Sequence, residues 1–327
     1  MTGVGQGLPS TPAPISAEAP TAPVMRKRKH ADVARDRGAI SSADRKRPAV
    51  RITMGILHAV MFVGLLIAGF GPIAWAARAS VSGSQDIITK PMQIWGAPVH
   101  WDNVGKAWAG AQIGSSMGNT VFVAVGSTIA TLFVSATAAY LLSVLRPKWG
   151  PILSGAILAT LFLPGVISLV PLYLTILHMP GLGGVSLLNT FWGVWLPAGA
   201  SAFNVIVLKR FFDSIPRELI EAARIDGASA VRVFTTVVIP LSRPILGVVA
   251  LLTIIASWKD FLWPMLVLAD PKLQPVSVTL ANLPNGAMPF SVQMAAVFLT
   301  ILVPVALFLA FQKQFLRGVS SAGGLKG

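Results

Sequence analysis

Long stretches of the chain contain no Asp, Glu, Lys or Arg, and their lengths predict membrane-spanning helices. These stretches are residues 54–77, 117–145, 149–208, 245–258 and 273–312. A helix that crosses a bilayer needs about 20 mostly apolar residues, so the third stretch is long enough for two, separated by the glycine-rich turn after His178. The pattern therefore predicts six spans, near residues 54–77, 117–142, 150–174, 187–208, 245–268 and 292–312.

Two features inside these runs predict how the helices pack. Gly126 and Ala130, like Ser127 and Thr131, lie four residues apart and let the second helix approach a neighbour closely. Proline occurs within several runs, where a helix bundle tolerates the resulting kinks. The positions concerned are Pro164, Pro171 and Pro304.

Composition supports an all-α, polytopic membrane helical bundle. The chain of 327 residues is 54% hydrophobic and only 12% charged, with a mean hydropathy of +0.70. The absence of cysteine excludes structural disulfides and Cys-ligated metals, and the four scattered His residues have no metal-ligand spacing. We therefore expect no metal site.

The formal charge of +14 reports the orientation of the chain and not nucleic-acid binding. With a cytoplasmic amino terminus, most of the 26 Lys and Arg residues fall in cytoplasmic segments, as the positive-inside rule requires. The segments on the other side hold only Arg78, Lys90, Lys106, Lys259 and Lys272. Both termini are predicted to be cytoplasmic.

Residues 1–50 predict a disordered, basic cytoplasmic tail before a permease domain at residues 51–327. The tail is rich in Pro, Ala and Ser and then turns basic in RKRKH, Arg26 to His30. That basic run is either a determinant of orientation alone or a site for anionic lipid headgroups. The first span has no small-residue cleavage site, so we expect it to be retained as an anchor.

A polar passage, residues 208–246, separates the fourth and fifth spans on the predicted cytoplasmic side. Ser214 is a candidate helix N-cap, with Pro216 in the first turn and Glu218 near the positive end of the helix dipole. Gly227 can adopt the left-handed conformation that ends this helix, and Ser229 can cap the next. The passage predicts a helix, a tight turn and a second helix.

The first of these helices is amphipathic. Leu219, Ala222 and Ala223 form a small apolar face, while Glu218, Glu221 and Arg224 lie on the other faces. Periodicity alone leaves two interpretations open. The helix either lies in the groove of a soluble partner or rests on the lipid headgroups.

The same passage resembles the EAA signature of inner-membrane permease subunits of binding-protein-dependent ABC importers. The signature positions are Glu221, Ala222, Ala223, Asp226, Gly227, Ala228, Phe234, Ile239, Pro240 and Pro244. Flanking segments resemble the carbohydrate branch of that family, which includes maltose, trehalose and glycerol-phosphate importers. They are SLLNTFWGVWLP, FFDSIPRELIEAA, SWKDFLWPMLVLADPKLQPVSVTLANL and SSAGGLKG, and the resemblance covers about residues 50–327.

The resemblance implies a type I ABC importer fold with a cytoplasmic coupling helix. In that family the segment from Glu221 to Gly227, including Arg224, docks on a cytoplasmic ATPase, so these residues and Ala228 are the candidate coupling site. The implied partners are a second related permease, two ATP-binding subunits, and an extracytoplasmic binding protein that delivers a sugar. The implied location is a bacterial inner membrane.

Catalysis is expected to belong to the partners. The chain contains no G-x-x-x-x-G-K-[ST] segment, so ATP and Mg²⁺ are expected on the ATPase subunits and no cofactor on this chain. The alternative is an ion-coupled carrier or a channel, which would act without a motor. The predicted spans lack the carboxylate or histidine chains of proton-coupled carriers.

Two further regions are candidates for contact with cargo or partners. Trp258, Lys259, Asp260 and Trp263 either line a substrate path or form an aromatic belt with a snorkelling lysine. By resemblance, the outer loop at residues 269–291 contacts the binding protein. Residues 316–327 either reach the ATPase or form a frayed terminus.

Overall fold

The computed structural model describes residues 47–93, 98–181, 183–283 and 288–323, without the side chains of residues 313–323. The tail predicted at residues 1–50 therefore lies almost wholly outside the described residues. Contacts divide the chain into two units, Met1–Ala68 and Gly69–Gly327.

The described residues are helical and contain no β-strand. The first half holds α1 (Pro48–Ser80), α2 (Ser84–Thr89), α3 (Asp102–Gly105), α4 (Ile113–Tyr140), α5 (Gly150–Thr160) and α6 (Leu169–Leu177). The second half holds α7 (Trp192–Gly199), α8 (Ala202–Asp213), α9 (Arg217–Ile225), α10 (Ala230–Val233), α11 (Ile239–Leu241), α12 (Arg243–Lys259), α13 (Leu262–Val267), α14 (Val276–Ala281) and α15 (Phe290–Gly323). Short π-helical turns extend or join some of these at residues 106–110, 141–145 and 234–238, and a 3₁₀ turn at residues 165–168 precedes α6.

Within the described residues, three helices are long and apolar enough to cross a membrane. They are Pro48–Ser80, α4 with its extension to Leu145, and Phe290–Gln312, and two bent helix pairs raise the number to as many as five. The expected membrane character is confirmed. The count of six is not, because the predicted fourth span, residues 187–208, is divided between α7 and α8 at Ala200. Ser201 caps α8 by accepting a hydrogen bond from the Asn204 amide at 3.4 Å, which favours a new helix there.

The predicted third span is bent and not continuous. α5 ends at Thr160, and the chain turns through 104° before Gly165–Leu177 continues. Pro164 lies at this break with an extended ψ of 127°, since proline cannot donate the hydrogen bond that would continue α5. A second bend, of 78°, lies between Leu241 and Arg243, next to Pro240 and Pro244.

α4 is the central helix of the second unit, and small residues allow its close packing. A Cβ atom at Gly126 would collide with the indole of Trp195 on α7. The Thr131 hydroxyl donates to the Ala198 carbonyl at 2.9 Å, and a Cβ at Gly199 would lie 3.4 Å from the Ala130 carbonyl. The predicted close approach through Gly126, Ala130 and Thr131 is thus confirmed.

The amino-terminal part of α4 is tied to the loop that precedes α14. The Asn119 amide donates to the Lys272 carbonyl at 2.8 Å, and the Thr120 hydroxyl accepts from the Val276 amide at 2.8 Å. The hydroxyls of Ser116 and Thr279 lie 2.7 Å apart. These contacts fix the described part of the loop predicted to face the binding protein, while residues 284–287 of that loop lie outside the described residues.

Candidate functional site

The polar passage forms a helical hairpin whose turn depends on Gly227. Gly227 has φ of +80°, a left-handed conformation that costs other residues about 1–2 kcal/mol, and it lies next to Asp226, the C-cap of α9. Ser229 then caps α10 by accepting the Arg232 amide at 3.3 Å. The predicted helix, turn and helix are therefore present, with Gly227 and Ser229 in their predicted roles.

Ser214 does not cap α9, contrary to the sequence prediction. Its hydroxyl donates to the Phe211 carbonyl at 2.6 Å and its amide bonds the same carbonyl, so it closes α8. α9 begins at Arg217, two residues later than an N-cap at Ser214 predicts, because Pro216 is extended (ψ 127°). A serine at this position can cap the start of α9 or close the end of α8. Ser214 does the latter because the last carbonyls of α8 lack partners within the helix and accept its hydrogen bonds.

The structure divides the apolar residues of α9 between two faces. Ile220 is buried, and Ala223 packs half-buried against the same cluster of apolar side chains, as Ala228 does after the turn. Leu219, Ala222 and Ile225 are exposed, with Ile225 87% exposed. The prediction that Leu219, Ala222 and Ala223 form one face is therefore wrong, because Ala223 faces the core and the other two face outward. α9 instead presents Leu219, Ala222 and Ile225 outward at helical spacing, and we call these three residues the outer stripe.

The polar members of the candidate coupling site are also accessible. Glu221, Arg224 and Asp226 are all exposed, as is the adjacent Gly227. Glu221 and Arg224 line a small cleft between α9 and the end of α4, together with Arg146, Asp213 and Arg217. The site thus combines a free apolar stripe with charged side chains of both signs.

A carboxylate at the end of α8 joins this hairpin to α4. Asp213 accepts a hydrogen bond from the Ser143 hydroxyl at 2.7 Å and forms an ion pair with Lys209 at 2.7 Å. The guanidinium of Arg146 lies 3.6 Å from the same carboxylate. Partial burial by itself raises the pKa of the Asp213 carboxyl, but the hydrogen bonds from Lys209 and Ser143 and the nearby positive charges outweigh it and lower the pKa. Sequence reasoning missed Asp213. Its spacing of four residues from Lys209 was a local signal for an ion pair on a helix, but nothing local indicates the contact with Ser143.

A cavity of about 770 Å³ lies beside α4, between α7, α8 and α12. Its volume falls within the range of about 300–1,000 Å³ typical of small-molecule sites. Among its lining residues are Lys259, Asp260 and Trp263, three of the four predicted for a substrate path. Trp263 donates its indole N–H to the Gly193 carbonyl at 3.1 Å, so this ring is held in place by the core.

The structure does not bring Trp258 to this cavity. Its side chain is 6% exposed and packs in a separate cluster with Ala107, Ile113 and Val292. One residue of helix rotation, about 100°, separates it from Lys259, so adjacent positions of α12 face different neighbours. A substrate-path role for Trp258 therefore has no geometric support.

Uncharged polar groups supply most of the remaining polarity of the cavity. Ser127, Asn204 and Ser257 line it, and the structure gives their side chains no hydrogen-bond partner among the described residues. Asn204 is buried, with only 8% of its surface exposed, although its side-chain amide has no such partner. Such groups can bind a ligand rich in hydroxyls, because an unpaired buried amide or hydroxyl gains a partner when that ligand arrives. A polar residue within an apolar span was the available sequence signal.

No metal site is evident in the described ranges, where no three His, Cys, Asp or Glu residues are close enough to hold an ion.

Comparisons with known proteins agree on the family. Residues 132–321 match the family described as binding-protein-dependent transport system inner membrane component. The sn-glycerol-3-phosphate transport system permease protein UgpE of Yersinia enterocolitica is 31% identical over 271 residues, covering 80% of this chain and 94% of that protein. The same protein of Pectobacterium atrosepticum is 30% identical with the same coverage.

Solved structures support the same fold. A chain of a bacterial ABC transporter involved in the import of the acidic polysaccharide alginate superposes with a TM-score of 0.72 and 24% identity, covering 82% of this chain and 98% of that one. A second solved structure, of a bacterial alginate ABC transporter in complex with a periplasmic protein bound to an alginate pentasaccharide, contains a chain that matches with a TM-score of 0.59 and 18% identity over 82% of this chain and 94% of that one.

Proposed function

We propose that this chain, which belongs to the family of inner membrane components of binding-protein-dependent transport systems, imports a sugar as one permease of an ATP-driven complex. Its proposed partners are a second related permease, two ATP-binding subunits and an extracytoplasmic binding protein. The permease function rests on the family and on relatives that align over most of this chain.

The observation that carries the coupling assignment is the outward face of α9. Leu219, Ala222 and Ile225 remain uncovered although α9 is anchored from its other side by Ile220. An exposed apolar stripe beside charged groups suits the groove of a soluble protein, where amphipathic helices bind through residues at this spacing. Glu221, Arg224, Asp226 and Gly227 complete the proposed contact with an ATPase subunit.

The proposed cargo is a sugar because the cavity offers hydrogen-bonding groups with little net charge. Ser127, Asn204 and Ser257 can bond hydroxyls, while Lys259 and Asp260 carry opposite charges. The indole of Trp263 adds an aromatic surface against which a sugar ring can pack. The proteins that this chain resembles are described as taking part in the transport of sn-glycerol-3-phosphate and the import of the acidic polysaccharide alginate, both of which carry hydroxyl groups.

The chain acts in this proposal without catalysing a reaction itself. It contains no P-loop segment, so ATP and Mg²⁺ belong on the ATPase partners, and their closure moves the permeases between inward- and outward-facing states. We place both termini in the cytoplasm, with residues 1–50 as a tail before the permease domain at residues 51–327.

Purification and reconstitution test this function. The complex, purified from its native membrane through this chain, is expected to contain an ATPase and a second permease, and mass spectrometry identifies any sugar that accompanies it. In proteoliposomes with the binding protein, uptake of that sugar should require ATP inside the vesicle and survive a protonophore. Uptake that ignores ATP but collapses with the ion gradient would instead establish the ion-coupled carrier.

A further inference from the structure

α4 holds the proposed coupling helix at both of its flanks. We define the coupling hairpin as residues 214–229, which lie between the end of α8 and the start of α10. We propose that Tyr140, Ser143 and Asp213 are positioning residues that form a two-point clamp, through which movement of the coupling hairpin displaces α4 and the cavity beside it. This inference rests on the proposed function.

The first point of the clamp precedes the hairpin. Ser143 is buried and lies in the π-helical extension of α4, where its hydroxyl donates to Asp213 at 2.7 Å. Arg146 has φ of +49° and turns back, so that its Nε donates to the Ser143 carbonyl at 2.6 Å while its guanidinium faces Asp213 at 3.6 Å. Only residues 214–216 separate this carboxylate from α9.

The second point follows the hairpin. The Tyr140 hydroxyl donates to the Ala230 carbonyl at 2.8 Å, in the first residue of α10. The ring is 6% exposed and packs at 4.9 Å, centroid to centroid, from Phe234. One helical turn of α4, from Tyr140 to Ser143, therefore bonds to both residues that bound the hairpin.

An apolar core fills the space between the two points. Ile220 of α9 lies in one buried cluster with Tyr140, Phe212 and Val233. Protein interiors are close-packed, so a displacement of α9 moves these side chains together and does not compress them. The hairpin is thus attached to α4 by polar bonds at its ends and by packing at its centre.

The same helix reaches the cavity. Val123, Ser127 and Thr131 line it from α4, and the helix continues from these residues without a break to Tyr140. About 13 residues separate Ser127 from Tyr140, or about 20 Å of helix at 1.5 Å per residue. A rigid helix bonded at one end to the hairpin transfers its motion to the cavity wall.

The absence of cysteine makes a direct readout available. A single probe, Ser257→Cys, places a thiol in the cavity, and its reaction rate with a maleimide is measured on the purified complex. The two conditions are no nucleotide and ATP–Mg²⁺ with orthovanadate. With the clamp intact, we expect the nucleotide to change this rate, and no change at all would contradict the proposed function and not the clamp.

Removal of the clamp is expected to reduce that response while ATP hydrolysis continues. In Tyr140→Phe with Ser143→Ala, which removes both hydroxyl donors of the clamp, the ratio of the two labelling rates should move towards one by about fivefold or more, the lower end of usual coupling factors. Tyr140→Phe keeps the ring beside Phe234, and the Ala230 carbonyl keeps its bond from the Phe234 amide, so the hairpin itself can still form.

Tyr173→Phe is the matched control, because the structure gives that hydroxyl no partner among the described residues. It should leave the ratio unchanged. If the double variant does not assemble, Tyr140→Phe and Ser143→Ala are measured singly. Each should bring the ratio of the two labelling rates nearer to one. A ratio equal to that of the parent, in a variant that still binds and hydrolyses ATP, overturns the clamp.

Discussion

Gly126 is the residue at which the packing of α4 is least tolerant of change. The indole of Trp195 occupies the position of the missing side chain, and three aromatic rings pack against that indole at centroid distances of 5.0–5.9 Å, namely Phe122, Phe191 and Trp192. We therefore expect Gly126→Ala to destabilise the protein by about 1–3 kcal/mol, the usual cost of overpacking.

Gly118→Ala supplies the comparison. It makes the same change on the same helix, where no described atom lies within 4 Å of the new methyl group. Thermal unfolding in detergent should separate the two variants, with only Gly126→Ala lowering the midpoint. Equal midpoints would show that α7 does not pack on α4 as described.

Asp213 predicts a specific dependence of stability on pH. Its pKa is lowered because hydrogen bonds from Lys209 and Ser143 outweigh the effect of burial. A carboxyl with a lowered folded pKa contributes stability above its unfolded pKa of about 3.9, and loses it as the pH falls through the folded value. The stability difference between the parent and Asp213→Asn should therefore be constant from about pH 8 to 5, start to shrink near about pH 4, and disappear only below the lowered folded pKa. A difference that persists in acid would mean that ionisation of Asp213 is not its source.

Local chemistry predicted some single residues and not others. Gly227 and Ser229 were predictable because a left-handed turn and a helix cap are decided within a few residues. Asp213 was not, since its partner Ser143 lies 70 residues away, and Tyr140 lies 90 residues from Ala230. Contacts between distant segments need the positions of whole helices, which the hydropathy pattern does not contain.

At the scale of the element, the outer stripe of α9 is expected to determine how strongly the ATPase subunit binds. Ile225→Lys should reduce ATPase co-purification by about tenfold or more, because burying an isoleucine contributes about 1.5–3 kcal/mol and about 1.4 kcal/mol is a factor of ten. Ile88→Lys, at a site 68% exposed on α2, is the matched control and should retain the ATPase. Neither variant should alter thermal stability of the free chain, and an unchanged ATPase yield with Ile225→Lys would exclude the stripe from the contact.

Whole elements divide in the same way between predictable and unpredictable. α1, α4 and α15 follow from long uncharged runs, because backbone hydrogen bonding in lipid leaves a helix as the available form. A kink at Pro164 was predicted from the proline itself, although not its angle of 104°. The break at Ala200 was not predicted, because hydropathy is unchanged across it. At a break, backbone N–H and C=O groups lose their helical partners and bond instead to a neighbouring helix or a capping serine. The hydropathy of an apolar run does not reveal these replacement partners.

At the scale of the whole molecule, charge asymmetry predicts which surfaces face the cytoplasm. Lys148→Cys and Thr89→Cys place single thiols at exposed positions on opposite predicted sides. In intact spheroplasts, an impermeant maleimide should label Thr89→Cys at once and Lys148→Cys only after the membrane is opened. The reverse pattern would invert the topology and remove the coupling hairpin from the side where ATP is hydrolysed.

The length of α4 has a consequence for energy conservation. α4 with its extension, Ile113–Leu145, comprises 33 residues, about 50 Å of helix. It is bonded at one end to the loop before α14 and at the other to Asp213 and Ala230, the residues that bound the coupling hairpin. A continuous helix couples binding at its two ends, and such coupling is reciprocal. If nucleotide bound on the cytoplasmic side raises the affinity for a loaded binding protein on the other side, the loaded binding protein must raise the affinity for nucleotide by the same free energy. The ATPase partner would then hold nucleotide more tightly when the loaded binding protein is bound, without a separate sensor.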